Sequence, residues 1–213
     1  MNRRALLLGL LAAAPLLGGP FFAAPARAQA HAAVLGDPDE ATLKDVEAYL
    51  NGMRALTARF LQVGPDGKTT QGDLWLERPG RMRFQYDKPS PLLLVAGGGT
   101  VIFHDSQLDQ TTNIPVDQTP LGLLLDATIR LSGPVSVTEF DRPPGQLLIT
   151  LVRTKTPGDG SLTLAMNADP LALVGWSVVD AQGRETRVRL SDVKPGGPYD
   201  SKLFTFTDPD ADK

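Results

Sequence analysis

The chain has 213 residues, with 21 basic against 24 acidic side chains, a formal net charge of −3, two histidines and no cysteine. The absence of cysteine excludes disulfides, thiol catalysis and cysteine-metal centres, and the slightly acidic balance offers no basic field for nucleic acid. Three of the arginines (Arg3, Arg4 and Arg27) fall in the first 30 residues, so the rest of the chain is more acidic than the whole.

Residues 1–30 read as a cleaved export signal: a basic start at Arg3-Arg4, an apolar run from Ala5 to Leu17, and small-residue cleavage sites at Ala26-Arg27-Ala28 or Ala28-Gln29-Ala30. Pro15, Gly18, Gly19 and Pro20 break the apolar run short of the roughly 20 residues a spanning helix needs. Residues 31–213 are then expected to form a single domain. With no cysteine to carry a lipid anchor, that domain is expected to diffuse freely as a monomer.

After a lead-in at Gly36-Asp37-Pro38-Asp39, a helix is predicted from about Glu40 to Leu56. Leu43, Val46, Leu50 and Met53 form one apolar stripe, with Asp37 or Asp39 as cap. Strands are predicted next at Thr57–Val63, Thr69–Arg78, Arg81–Asp87, Pro91–Ala96, Thr100–Asp105 and Gln107–Ile114. In the second and third of these the alternation is clear. Leu74 and Leu76 oppose Asp73 and Glu77; Met82, Phe84 and Tyr86 oppose Arg81, Arg83 and Gln85. Arg78 falls on the side of Leu74 and Leu76, which puts a charge at the margin of an apolar surface. Gly97-Gly98-Gly99 reads as a hairpin turn, because no Gly-Lys-Ser/Thr follows it and no helix begins there.

Thr119-Pro120-Leu121-Gly122-Leu123-Leu124-Leu125 interrupts the meander as a short helix, with Thr119 as N-cap and Pro120 at the first helical position. Apolar nearly all round, it belongs either in a core or over an apolar space. Strands resume at about Val135–Phe140, Gln146–Arg153, Ser161–Asn167, Leu171–Asp180, Glu185–Val193 and Leu203–Thr207. About a dozen antiparallel strands with one apolar face must curl, either into a sandwich or around something.

Catalytic constellations are missing. There is no nucleophile elbow, no His-Glu-x-x-His and no calcium loop. His104 and Asp105 are strand neighbours pointing to opposite faces, so they form no dyad, and His104 is expected near solvent or a turn. An enzyme is not expected, no cofactor or metal is indicated, and a binding protein is the default reading. Arg78 has two readings. It either snorkels to water, pairing with a carboxylate such as Glu40, or turns inward, where its five donors need backbone carbonyls and could latch a helical lid.

In order along the chain, Phe60-Leu61-Gln62, the run from Gly72 to Pro79 (Gly-Asp-Leu-Trp-Leu-Glu-Arg-Pro), Lys88-Pro89, Phe103-His104-Asp105, Leu108-Asp109-Gln110, the Thr119–Leu125 block and Phe204-Thr205-Phe206-Thr207 resemble the periplasmic outer-membrane lipoprotein carrier family, LolA. The resemblance implies a mainly β fold, an incomplete antiparallel barrel of about 11–12 strands with short helices forming a lid over an apolar cavity. It also implies a periplasmic chaperone that binds the acyl chains of lipoproteins released from the inner membrane by an ABC-type transporter. Delivery would be to an outer-membrane receptor or to the outer membrane itself. Arg78 matches the family's lid-tied arginine. The cavity lining would include Leu74, Leu76, Met82 and Phe84, with Leu121, Leu124 and Leu125 from the lid. The nearest alternatives are a receptor-like or lipid-sensing binding domain of the same fold; the receptor is anchored through an N-terminal cysteine that this chain lacks.

Overall fold

The computed structural model describes residues 32–207; the expected export signal lies outside them. Helix α1 spans Asp37–Gly52, and eleven strands follow: β1 Ala55–Val63, β2 Thr69–Glu77, β3 Arg81–Tyr86, β4 Leu92–Gly97, β5 Thr100–Asp105, β6 Gln110–Pro115, β7 Val135–Asp141, β8 Gln146–Arg153, β9 Gly160–Ala168, β10 Leu171–Asp180 and β11 Glu185–Pro195. A one-turn helix, α2, Gly122–Leu125, sits between β6 and β7. The strands make a single antiparallel sheet in the order β6-β5-β4-β3-β2-β1-β11-β10-β9-β8-β7. Two meanders are thus joined where β11 pairs with β1, and β6 and β7 remain as unjoined edges. The sheet is open and does not close into a barrel.

Period-two alternation determines which side is covered. Leu56, Ala58 and Phe60 of β1, Leu74 and Leu76 of β2, Met82, Phe84 and Tyr86 of β3, Leu162, Leu164 and Met166 of β9, and Val188 and Leu190 of β11 are all buried. They form one apolar cluster with Leu43, Val46 and Leu50 of α1 and Leu123–Leu125 of α2. An unclosed sheet buries one face only if something is laid across it, and here α1 and α2 do so. Phe60 anchors the middle of the cluster, with its ring edge-on to Phe84 at 4.7 Å and to Tyr86 at 5.2 Å. On the outer face Arg59 donates to Asp73 Oδ1 at 3.0 Å and to Asp87, holding the Asp87 carboxyl below its usual range and fixing the register of β1 and β2.

Several boundaries differ from the sequence reading. Helix α1 begins at Asp37 and ends at Gly52, because Ala55 and Leu56 are claimed by the β2 ladder; its N-cap is Gly36, and neither Asp37 nor Asp39 caps it. β6 begins at Gln110, since residues 106–109 form a turn whose N–H groups at Gln107 and Leu108 donate to Asp105 Oδ1. The Gly98-Gly99 turn is as expected, with positive φ at both residues. The final predicted strand, Leu203–Thr207, is not a strand. Ser201–Phe204 is a 3₁₀ turn within a strap lying against the outer face of β3–β5.

Four contacts hold that strap. Tyr199 N donates to the buried Glu77 Oε2 at 2.8 Å, and Arg83 Nη1 donates to Leu203 O at 3.3 Å. A Cβ on Gly97 would stand 2.1 Å from Phe204 O, so only glycine permits the approach. Phe206 lies 5.2 Å from the His104 ring. This cover explains the misreading of His104, which is 2% exposed and within 3.0 Å of Thr111 Oγ1 through Nδ1.

Two outcomes test this core. Phe60→Ala should cost about 3–5 kcal/mol in urea denaturation; a loss under about 1 kcal/mol would mean that the ring is not packed as described. Burial pushes the Tyr86 phenol up to about 12. A raised folded-state value means that Tyr86 contributes its full stability below the unfolded phenol's range near pH 10 and loses it as the pH climbs towards 12. Tyr86→Phe should therefore flatten the decline in stability across that window relative to the parent, as followed by thermal melts at stepped pH.

Candidate functional site

The connection from β6 to β7 crosses the covered face of the sheet. It opens with a 3₁₀ turn, Val116–Gln118, and Thr119 then organises the next step. Its hydroxyl donates to Val116 O at 2.9 Å and accepts from Gly122 N at 3.2 Å. The helix is shorter than the sequence reading, with Leu121 rather than Thr119 in the N-cap position. Gly122 is required by crowding. A Cβ there would stand 2.2 Å from Val116 O and 2.8 Å from Arg153 Nη2.

Beyond α2 the chain is tied to α1 by side chains rather than by a ladder. Asn51 Nδ2 donates to Ile129 O at 2.9 Å, while Ile129 N donates back to Asn51 Oδ1 at 2.9 Å. Leu131 N donates to Glu47 Oε2 at 2.9 Å. Glu47 and Asn51 are one helical turn apart and flank the Leu43-Val46-Leu50 stripe. The sequence reading passed over them. The signal available was two polar residues at i, i+4 bordering an apolar stripe.

Arg78 sits where α1, the β2–β3 turn and the end of α2 meet. It is turned inward and only 6% exposed. Nη2 donates to Met53 O at 2.7 Å and to Leu50 O, two carbonyls at the C-terminal end of α1 that have no i+4 N–H to accept from. Nη1 reaches Asp126 O at 3.5 Å, at the limit of hydrogen bonding, and Nε has no partner. The backbone reinforces the junction: Arg78 N donates to Arg54 O at 2.8 Å, and Gly80 N to Leu125 O at 2.9 Å. Burial, and after it the neighbouring Arg54, pull the Arg78 guanidinium down from its usual range. Partial burial pushes the Asp126 carboxyl up, against the opposing pull of Arg153. The acceptors are backbone carbonyls, as the inward reading of Arg78 required, and the fold decides that the end of α1 supplies them.

The structure brings the other singled-out residues together. Leu74, Leu76 and Met82 are 0% exposed, with Phe84, Leu124 and Leu125 also buried, and Leu121 is half-buried against the same cluster. The lid leucines and the α1 stripe belong to the same buried cluster and cover this wall. The open hollow anticipated from the sequence is closed in this arrangement.

A depression of about 750 Å³ lies on the opposite, outer face. Its floor is built of the small residues Thr163, Ala165, Gly175 and Ser177, and it contains none of the singled-out residues. Among the described residues no three or more His, Asp or Glu gather as a metal site, and no helix is long and apolar enough to cross a membrane.

Residues 51–207 match the family described as outer membrane lipoprotein carrier protein LolA. The outer-membrane lipoprotein carrier protein of Pseudomonas paraeruginosa is 31% identical over 180 residues, covering 80% of this chain and 86% of that one. That of Methylococcus capsulatus is 32% identical over 174 residues, covering 77% and 82%. A crystal structure of a LolA superfamily protein from Nitrosomonas europaea is far more distant, at 9% identity and a TM-score of 0.42 over 77% of this chain and 97% of that one, and carries no weight beside these. On the extent of the family match, and on relatives above 30% identity across most of their length, the chain belongs to the LolA outer membrane lipoprotein carrier family.

Proposed function

We propose that this protein is a periplasmic carrier that shelters the acyl chains of lipoproteins between the inner and the outer membrane, with Arg78 as the latch of its lid. The observation that carries the reading is the buried guanidinium of Arg78. It bridges the end of α1 and the end of α2 above a wholly aliphatic and aromatic wall. The family membership and the names of its relatives support lipoproteins as the cargo. Loading from an inner-membrane ABC-type transporter and delivery to an outer-membrane receptor, or to that membrane itself, follow from the same reading.

Acyl chains in water cost about 0.8 kcal/mol per methylene, so several chains together represent tens of kcal/mol. A permanently empty apolar hollow would bind them too tightly for release. In this chain the space above Leu74, Leu76, Met82 and Phe84 is already occupied by Leu124 and Leu125, and the closed form is further stabilised by the hydrogen bonds of Arg78. Lipid enters only by displacing this cover, so the free energy of closure is subtracted from the affinity for lipid. Loading then needs an input from the donor, and unloading is assisted by reclosure.

The sign of the test follows directly. Hydrogen bonds from a charged donor contribute about 1.5–3 kcal/mol to the closed form. Arg78→Leu removes them, disfavours closure and should hold lipid more tightly. Release of a fluorescent triacylated lipopeptide to acceptor liposomes should slow by about tenfold or more, each 1.4 kcal/mol being a factor of ten. Circular dichroism should confirm that the variant remains folded. Unchanged loading and transfer kinetics in a folded variant would remove Arg78 from the mechanism. Arg78→Lys, which keeps the charge but reaches fewer carbonyls, should fall between the two.

A further inference from the structure

The two ends of the open sheet are finished differently. At β7 the N-terminal segment takes up part of the edge, with Ala33 N donating to Val137 O at 2.8 Å. A register shift between Val137 and Glu139 kinks the strand, and Glu139 and Asp141 place charges on it. These are the usual devices by which a sheet edge is closed to further pairing. β6 has none of these three, and only Pro115 at its end blunts it. Its register with β5 is regular from Thr100–Pro115 to Asp105–Gln110, and it holds no charged residue. All six of its residues are exposed, and among the described residues it pairs with β5 alone. Alternate residues along it therefore turn their backbone N–H and C=O groups to the outside, with Pro115 contributing only a carbonyl. Ile114, 39% exposed, stands near its C-terminal end, and Leu108, 62% exposed, in the turn that precedes it.

We propose that β6 is a docking edge for an extended polypeptide, and that its occupant is the segment of the cargo lipoprotein that follows the acylated residue. This rests on the carrier reading above and deepens it. Three observations select the occupant. β6 runs straight into the lid, through Pro115, Val116–Gln118 and then Gly122–Leu125, so a strand added here lies beside the segment that must move when acyl chains enter. Its side chains Gln110, Thr111, Thr112 and Asn113 are neutral, so recognition would be by backbone and tolerant of sequence, as a carrier of many different proteins requires. Charge disfavours a second copy of this chain, because β6 is flanked by acid on both sides, Asp109 in the turn before it and Asp117 in the 3₁₀ turn after it, and a second copy would bring the same acids. The same acids favour an incoming segment that is neutral in the middle with a basic residue at an end.

The test uses the mature chain and three synthetic probes. One is a triacylated cysteine alone. The second carries an eight-residue tail that is neutral except for a terminal lysine, and the third is the same lipopeptide N-methylated at alternate tail residues on the docking edge. Affinities are read by displacement of a hydrophobic dye. The tail should tighten binding by about tenfold or more over the acylated cysteine, and N-methylation should abolish that gain. Because the chain has no cysteine of its own, Asn113→Cys gives a single reporter thiol, which should form a disulfide with a cysteine placed mid-tail when a mild oxidant such as diamide is added. Equal affinities for the two lipopeptides would overturn the docking edge and leave the carrier reading standing. Disulfide-linked dimers of the Asn113→Cys protein, with no trapping of the tail, would overturn it in favour of self-pairing. Failure of the acylated cysteine to displace the dye would overturn the carrier reading and this inference with it.

Discussion

A guanidinium withdrawn from water has five N–H groups to satisfy, and this structure is arranged around the few oxygens that Arg78 finds. They are main-chain carbonyls that helix geometry leaves over, at Leu50 and Met53, with Asp126 O at the margin. Main-chain carbonyls carry partial charge only, so the cation is solvated without being neutralised. A buried ion pair with a carboxylate would have been tighter and costlier to break. The result is a junction strong enough to hold α1, the β2–β3 turn and the end of α2 in one place, yet held by nothing that cannot be exchanged for water.

The open sheet depends on that junction. Eleven strands in one layer leave an apolar face that neither hairpins nor edges can cover, and closure of the barrel is prevented by the separation of β6 from β7. α1 supplies one stripe of cover and α2 with Ile129 and Leu131 supplies the rest. Cover that is part of the same chain but not part of the sheet's hydrogen-bond ladder can separate from it without breaking a strand pairing. Asn51 and Glu47 keep the segment after α2 against α1, so the cover behaves as one assembly of helix and connecting chain. In the proposed carrier role, its affinity for the wall is what a lipid would compete against.

Much of this was legible in the residues themselves. The alternation of Leu74, Leu76, Met82, Phe84 and Tyr86 placed them on one face because a strand has period two, and the same rule turned Arg78 to that face. What could not be read were contacts between elements distant in sequence. His104 reads as a surface residue until the strap from Tyr199 to Thr207 is laid over it, and Phe204-Thr205-Phe206 alternates like a strand although its partner is a neighbouring face rather than a neighbouring edge. The helix α1 stops before Leu56 because β2 takes Ala55 and Leu56 into its ladder, a tertiary preference that local periodicity does not contain. The acceptors of Arg78 were invisible for the same reason: every residue offers a carbonyl, and only the fold decides which are unspent.

The strap also makes the two wings of the sheet mechanically unequal. β3 to β5 are clad on both sides, by α2 and the core within and by Phe204 and Phe206 without, whereas among the described residues no such cladding lies over the small residues of β9 and β10 on their outer side. A double-clad wing resists bending; a wing faced with Thr163, Ala165, Gly175 and Ser177 flexes more readily. Any widening of the interior would therefore meet less resistance from the thinly faced half of the sheet than from the double-clad half beside the arginine junction.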